Sequence, residues 1–245
     1  MPSIKDALSG VRSTTSMVLE AQLNRLFATD RANQEVRTGM HGSGIIVGDA
    51  EFCYRKQVLS FFYVRDNVEI PVKLQRIFLE GWHVHEKWQK LFKQAGIDRG
   101  IEQRGHSKDM SLLFTPDAVI ELKGRLWVVE IKSMNEFAFR RANGHPSGEK
   151  QLMLYMHMLA IPRGFVLCEN KNSQDIRVFE KRYDPEVARP FVERMINVRE
   201  YVGEFAVARK RSVLPERTCT GSTCKRAMGC DYRTACYNLE GLERL

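Results

Sequence analysis

The chain is predicted to fold as an α/β protein, with a central mixed sheet flanked by helices. Three observations carry that expectation. Strand-like runs at about 112–122 and 125–132 meet at Lys123-Gly124, the residue types of a tight turn. Helix-period segments stand on either side of them, from Lys73 to Lys93 and over about 148–160. Two further apolar runs, Gly164–Cys168 and Ile176–Phe179, then lead to a long helix opened by Asp184-Pro185. Helix, strands, helix, strand, strand, helix is the order of a mixed sheet rather than a bundle.

Taken in order, residues 1–40 read as a polar helical extension with an apolar stripe of Leu19, Leu23, Leu26 and Phe27. His41-Gly42-Ser43-Gly44 then breaks the helical pattern. The 73–93 helix places Leu74, Ile77, Phe78, Trp88, Leu91 and Phe92 at its apolar positions, and Gly96 is its expected stop. Glu169-Asn170-Lys171-Asn172 is read as a charged turn between two strands. Asp184 is the expected N-cap of the last long helix, with Pro185 in its first turn.

The chain has 245 residues, 43% hydrophobic and 28% charged, enough to bury a sizeable core. No apolar run approaches the roughly 18 residues that cross a bilayer, and Met1-Pro2-Ser3-Ile4-Lys5-Asp6 lacks the layout of a secretory signal. A cytoplasmic protein of a bacterial or phage-infected cell is expected. The net charge of +8 suits a polyanionic partner, most often nucleic acid, and equally a basic surface that serves only solubility. Four of the six cysteines (Cys219, Cys224, Cys230, Cys236) crowd the C-terminal end, and in a reducing compartment clustered thiols hold metal more often than they pair.

The hairpin carries the chemistry. With Lys123-Gly124 as a two-residue turn, Leu122 opposes Arg125, and counting back along both strands sets Asp117 across from Glu130. Opposed side chains share a face, with Cβ atoms roughly 5 Å apart. Lys132, two residues beyond Glu130, shares that face as well. Two carboxylates so placed repel unless a cation sits between them. A hard divalent ion takes such oxygen ligands, activates water and offsets charge at phosphorus.

Pro116-Asp117 followed by Glu130-Ile131-Lys132 resembles the PD-(D/E)xK nuclease superfamily. Further matches resemble its RecB-like branch, which includes the RecB and AddB nuclease domains and the small exonucleases of CRISPR adaptation. The resemblance covers roughly residues 43 to 237 and implies a restriction-endonuclease-like core over 41–210. Gly81-x3-His85 resembles the helix that supplies a metal-binding histidine in that branch. Gln151-x3-Tyr155 resembles its Gln–Tyr motif. The implied metal set is His85, Asp117, Glu130 and the Ile131 carbonyl, binding Mg²⁺ or Mn²⁺. Asp117, Glu130, Lys132, Gln151 and Tyr155 are the implied catalytic group. Arg55, Lys132 and Tyr155 are the expected DNA contacts, and Glu102 stands as a lesser additional acid.

Cys53 with the tail cysteines resembles the iron–sulfur members, in which one cysteine before the core joins three after it on a [4Fe–4S] cluster. Cys53, Cys224, Cys230 and Cys236 are the ligands so implied, with Cys219 as a substitute, and residues 211–245 become a clasp closing onto Cys53. A local zinc site on the four tail cysteines is the alternative. Cys168, in an apolar strand, is expected in the core. The function implied is a metal-dependent DNA exonuclease acting on single strands or ends. A helicase or recombination partner would supply unwinding, since no Gly-x4-Gly-Lys-Ser/Thr loop is present. A non-catalytic DNA-binding protein with a structural metal clasp, and a restriction-type endonuclease, are the alternatives.

Overall fold

The computed structural model describes residues 17–24, 39–63, 65–66, 71–101, 105–107 and 112–238. Leu26, Phe27 and Glu102 therefore lie outside the described residues. The chain separates into two compact units, residues 1–36 with 69–79, and residues 37–68 with 80–245. In the first, a helix covers 17–24, with Leu19 and Leu23 exposed, and Asn24 accepts a hydrogen bond from Arg76.

The elements in order are β1 (Met40–His41), α1 (Gly42–Ile45), α2 (Tyr54–Leu59), α3 (Val72–Gln94), β2 (Asp98–Ile101), β3 (Gly105–Ser107), β4 (Leu112–Phe114), β5 (Ala118–Leu122) and β6 (Arg125–Met134). There follow α4 (Glu136–Arg141), α5 (Pro146–Leu159), β7 (Arg163–Asn170), β8 (Ile176–Arg182), α6 (Pro185–Ala208), α7 (Lys225–Met228) and α8 (Arg233–Tyr237). Five strands form the main sheet in the order β2-β5-β6-β7-β8. The β6–β7 pair is parallel and the other neighbours are antiparallel. The sheet is mixed and flanked by helices, as the sequence predicted.

Lys123 and Gly124 take φ angles of 51° and 68°, the left-handed pair a type I′ turn requires. The register is the one counted from the sequence, with Leu122 opposite Arg125 and Ala118 opposite Val129. Below the turn, alternate residues split the core into two layers. Val128, Val166 and Cys168 pack beneath α5 and α6, against Leu152, Met156 and Met195. Ala118, Ile120, Val129, Ile131 and Leu167 pack against Val84, Trp88 and Phe92 of α3. Gly96, with φ 69°, ends α3: its N–H bonds to Lys93 O while the Ile97 N–H bonds to Phe92 O, satisfying two terminal carbonyls.

Four expectations are corrected. The run 112–122 is two strands, because Pro116 has no N–H to give a ladder and Thr115-Pro116-Asp117 leaves the sheet. Its first part, β4, joins β1 and β3 in a separate sheet. The glycine-rich stretch does not break helix: Gly42–Ile45 is itself one helical turn. A Cβ on Gly42 would stand 3.0 Å from the Tyr155 ring, so this turn packs where a side chain would not fit. Glu169 and Asn170 are not turn residues but the buried end of β7, and the chain reverses beyond them. Of the apolar positions on α3, Trp88 and Phe92 join the core with Val84, whereas Leu74, Ile77, Phe78 and Leu91 are exposed.

Asp184 caps α6 through the Glu186 N–H, as expected. Midway along that helix the buried Arg194 donates to Ile45 O and Val47 O at 2.6 and 2.7 Å and lies over the Phe52 ring. It thereby ties α6 to the chain leaving α1. Among the described residues no helix is long and apolar enough to cross a membrane.

Gly164 shows how closely the helical layer meets the sheet. A Cβ there would come within 2.6 Å of Val128 O and 2.7 Å of Leu152 Cδ1. Neither a strand carbonyl nor a packed leucine yields cheaply, so Gly164→Ala is expected to cost about 1–3 kcal/mol. The midpoint of denaturant unfolding measures it.

Candidate active site

The sheet register continued by one pair sets Asp117 opposite Glu130, but Asp117 has already left β5. Its carboxylate spans the gap, with Oδ2 accepting the Ile131 N–H at 2.6 Å. Its carbonyl accepts from buried Gln89 Nε2 at 3.0 Å. Oδ1 lies 3.1 Å from His85 Nδ1. Asp117 is thus held by β6 on one side and by α3 on the other, and only 8% of it is exposed.

Glu130 shares the face of Val128 and looks toward α5. Its side chain is completely buried. Lys132 Nζ stands 2.5 Å from Oε1, yet neither Glu130 oxygen makes a well-formed hydrogen bond, and Oε2 has no partner among the described residues. Lys132 Nζ also donates to Gln151 Oε1 at 3.2 Å, and Gln151 Nε2 donates to Tyr155 Oη at 3.0 Å. The i, i+4 spacing on α5 places Gln151 and Tyr155 in one line above the strand.

Burial and the nearby Asp117 charge push the Glu130 carboxyl up to about 8 against the pull of Lys132. Burial by itself depresses the Lys132 ammonium, but Glu130 and Asp117 more than offset it and keep the lysine charged. Burial, with Glu130 next in effect, raises the Tyr155 hydroxyl, so Tyr155 stays a neutral hydrogen-bonding group.

Among the described residues no three His, Cys, Asp or Glu side chains form a ready-made ion site. The donor chemistry nonetheless fits a hard divalent cation. Two carboxylates share a buried place, one carries an orphaned oxygen, and an imidazole adjoins the other.

Several positioning residues were not read from the sequence. Glu169, with its side chain 1% exposed, accepts from Lys87 Nζ at 2.5 Å and from Trp88 Nε1 at 2.6 Å. It therefore pins the part of α3 that carries His85 to the end of β7. Gly148 gives Lys132 its room, since a Cβ there would lie 3.2 Å from Lys132 Cγ and Cε. His145 caps the same helix, accepting the Gly148 N–H at 3.1 Å. The only sequence sign of these roles is glycine in the first turn of a helix, where it is otherwise disfavoured.

Arg55, expected at DNA, is buried, and its Nη1 donates to Pro215 O at 2.9 Å. Its guanidinium joins the clasp to α2 rather than facing solvent. Of the cysteines, Cys168 lies in the core and all six are free thiols. Cys53, Cys219, Cys230 and Cys236 line one small cavity, while Cys224 caps α7 through the Ala227 N–H.

No family model matches the chain, and no curated protein matches it in sequence. Among solved structures it is similar to SSO0001, at 12% identity and a TM-score of 0.48, over 75% of this chain and 86% of that one. It is also similar to the alkaline exonuclease LHK-Exo from Laribacter hongkongensis, at 13% identity and a TM-score of 0.48, over 72% and 95% of the two chains. A second structure of that enzyme, in complex with dAMP, matches at 11% identity over the same shares with the same TM-score. Likeness at this level assigns no activity, and the geometry of the site has to carry the functional reading.

Proposed function

We propose that the chain is a metal-dependent DNA nuclease of the PD-(D/E)xK superfamily, RecB-like branch, cutting single strands or DNA ends. The observation that carries this reading is Glu130, a fully buried carboxylate with an orphaned oxygen, beside Asp117 and Lys132. A core does not keep such a group without a partner. Asp117, Glu130, His85 and the Ile131 carbonyl are the groups that hold Mg²⁺ or Mn²⁺. When bound, the ion lowers the pKa of a water and offsets charge on the scissile phosphate.

The chain's own groups then have separate tasks. Lys132, held charged between Glu130 and Gln151, stabilises the negative charge that develops at phosphorus. Gln151 keeps the ammonium aimed, and Tyr155 fixes Gln151 in turn. The net charge of +8 supports DNA as the substrate. A helicase or recombination partner belongs to the same reading, as does a cysteine-bound iron–sulfur or zinc centre in the clasp.

The test is end-labelled linear DNA, single- and double-stranded, and closed circular DNA, each incubated with Mg²⁺ or Mn²⁺. Mononucleotides or short products from linear substrates with circles left intact are expected. Nicked circles would make the protein an endonuclease instead. Binding without cleavage of any substrate, by fully metal-loaded protein, would leave the non-catalytic DNA-binding reading.

A further inference from the structure

The helix that aims Lys132 is opened by a histidine. His145 is the N-cap of α5, and its Nδ1 accepts the Gly148 N–H at 3.1 Å, with Ser147 Oγ at 3.3 Å. A ring nitrogen that accepts a backbone N–H carries no proton, so the neutral imidazole bears its hydrogen on Nε2. Among the described residues Nε2 has no partner, and it is not shut away from solvent. One nitrogen thus closes the helix, and the other is an open donor.

That donor stands beside Lys132. A Cβ on Gly148 would lie 3.2 Å from His145 Nδ1 and 3.2 Å from both Cγ and Cε of Lys132. The imidazole and the lysine stem therefore flank the same side of one glycine, no further apart than twice that distance. Burial, and then the Lys132 charge, hold the imidazole below its usual range, so it stays neutral beside the ammonium. The residue is also held from behind. Glu149 Oε1 accepts the His145 N–H at 3.3 Å, and its other oxygen pairs with Lys181 at 2.9 Å. Arg177 donates to the Ala142 carbonyl, three residues upstream, at 2.6 Å. Capping alone does not call for this side chain, since Asn, Asp and Ser are the preferred N-caps. An imidazole caps with its near nitrogen and adds a donor on its far edge.

We propose that His145 positions the DNA, its Nε2–H donating to a non-bridging phosphate oxygen of the strand that passes Lys132. This contact rests on the nuclease reading and deepens it, because it sets where the strand's backbone runs. Phosphate oxygens are the strongest acceptors a strand offers there, and a hydrogen bond to an anion is stronger than one to a neutral group. Contacts of this kind fix register and carry no base preference.

The experiment measures the affinity of wild type, His145→Asn and His145→Gln for a single-stranded oligonucleotide in Ca²⁺, beside cleavage in Mn²⁺ and a thermal melt of each protein. Asparagine keeps an acceptor where Nδ1 stands, and glutamine reaches with a donor to where Nε2 stands. His145→Asn is expected to melt like wild type and to bind about tenfold more weakly, the scale of one hydrogen bond to a charged group. His145→Gln is expected to melt lower and to regain most of the affinity. Wild type and His145→Asn are then compared on strands in which one phosphate at a time is a neutral methylphosphonate. The tenfold gap is expected to close at one position. His145→Asn that binds like wild type overturns the contact, as does affinity that simply follows melting temperature, or a gap that survives every methylphosphonate. Wild type that cuts nothing while the gap persists sinks the nuclease reading and leaves the contact standing. Cleavage by wild type with no gap does the reverse, and wild type that neither binds nor cuts DNA overturns both.

Discussion

Glu130→Gln is expected to reduce DNA cleavage by about 10³-fold, the scale of losing one preorganised charged group from an active site. The change is nearly isosteric, so the loss is one of charge. A neutral amide does not hold a hard cation as a carboxylate does. The metal-free protein is expected to respond in the opposite sense. Its buried carboxyl is raised to about 8 by desolvation and by Asp117, so ionising it costs folding energy. That cost is absent below the carboxyl's unfolded pKa, grows as pH rises, and is complete once pH passes about 8. Metal-free wild type should therefore lose stability across that window relative to Glu130→Gln. Mn²⁺ should bind more tightly as pH rises through it, releasing a proton, because the ion takes only the ionised carboxylate. Thermal melts with and without Mn²⁺, from pH 5 to 9, read both effects.

Lys132→Ala is the second large effect, and it separates catalysis from metal binding. Cleavage is expected to fall by about 10²–10³-fold, mainly in kcat, with Mn²⁺ still bound. The lysine is also the cation facing Glu130, at 2.5 Å, and its side chain is 23% exposed. Below pH about 8 the buried Glu130 carboxyl meets that loss by staying protonated, so removing the lysine is expected to cost the metal-free protein about 1–3 kcal/mol. Divalent ions should restore most of that loss, since they neutralise the same carboxylates. Lys132→Arg should recover part of the stability and little of the rate, because the planar guanidinium does not place a compact charge where the ammonium stands. A variant that cleaves at the wild-type rate would remove Lys132 from the chemistry.

What could be read from the sequence is what local rules decide. Lys123-Gly124 set the turn, the turn set the register as far as Ala118 and Val129, and Asp117 and Glu130 lie one position beyond it. Gln151 and Tyr155 were legible as a pair through the resemblance, and the four-residue spacing that puts them on one helix face agrees with their hydrogen bond. The break at Pro116 was also open to local reasoning, since proline cannot continue a ladder. It was hidden by the apolar run on both sides.

The remainder depends on distant partners. Nothing near Glu169 announces that Lys87 and Trp88 will arrive to bury it. Gln89 looks like a surface residue until the Asp117 carbonyl is found above it. Arg55, expected at DNA, and Arg194, to which the sequence assigned no role, both end on backbone carbonyls more than a hundred residues away.

The central claim is that Asp117, Glu130 and Lys132 cut DNA with a divalent ion. Cleavage of end-labelled linear DNA by wild type and Glu130→Gln, in Mn²⁺ and again in excess chelator, tests it most directly when both proteins are shown to be folded and DNA-bound. Cleavage by wild type in Mn²⁺ alone is predicted, lost equally on chelation and on substitution. Cleavage that survives either one, or wild type that binds Mn²⁺ and DNA and cuts nothing, would contradict it.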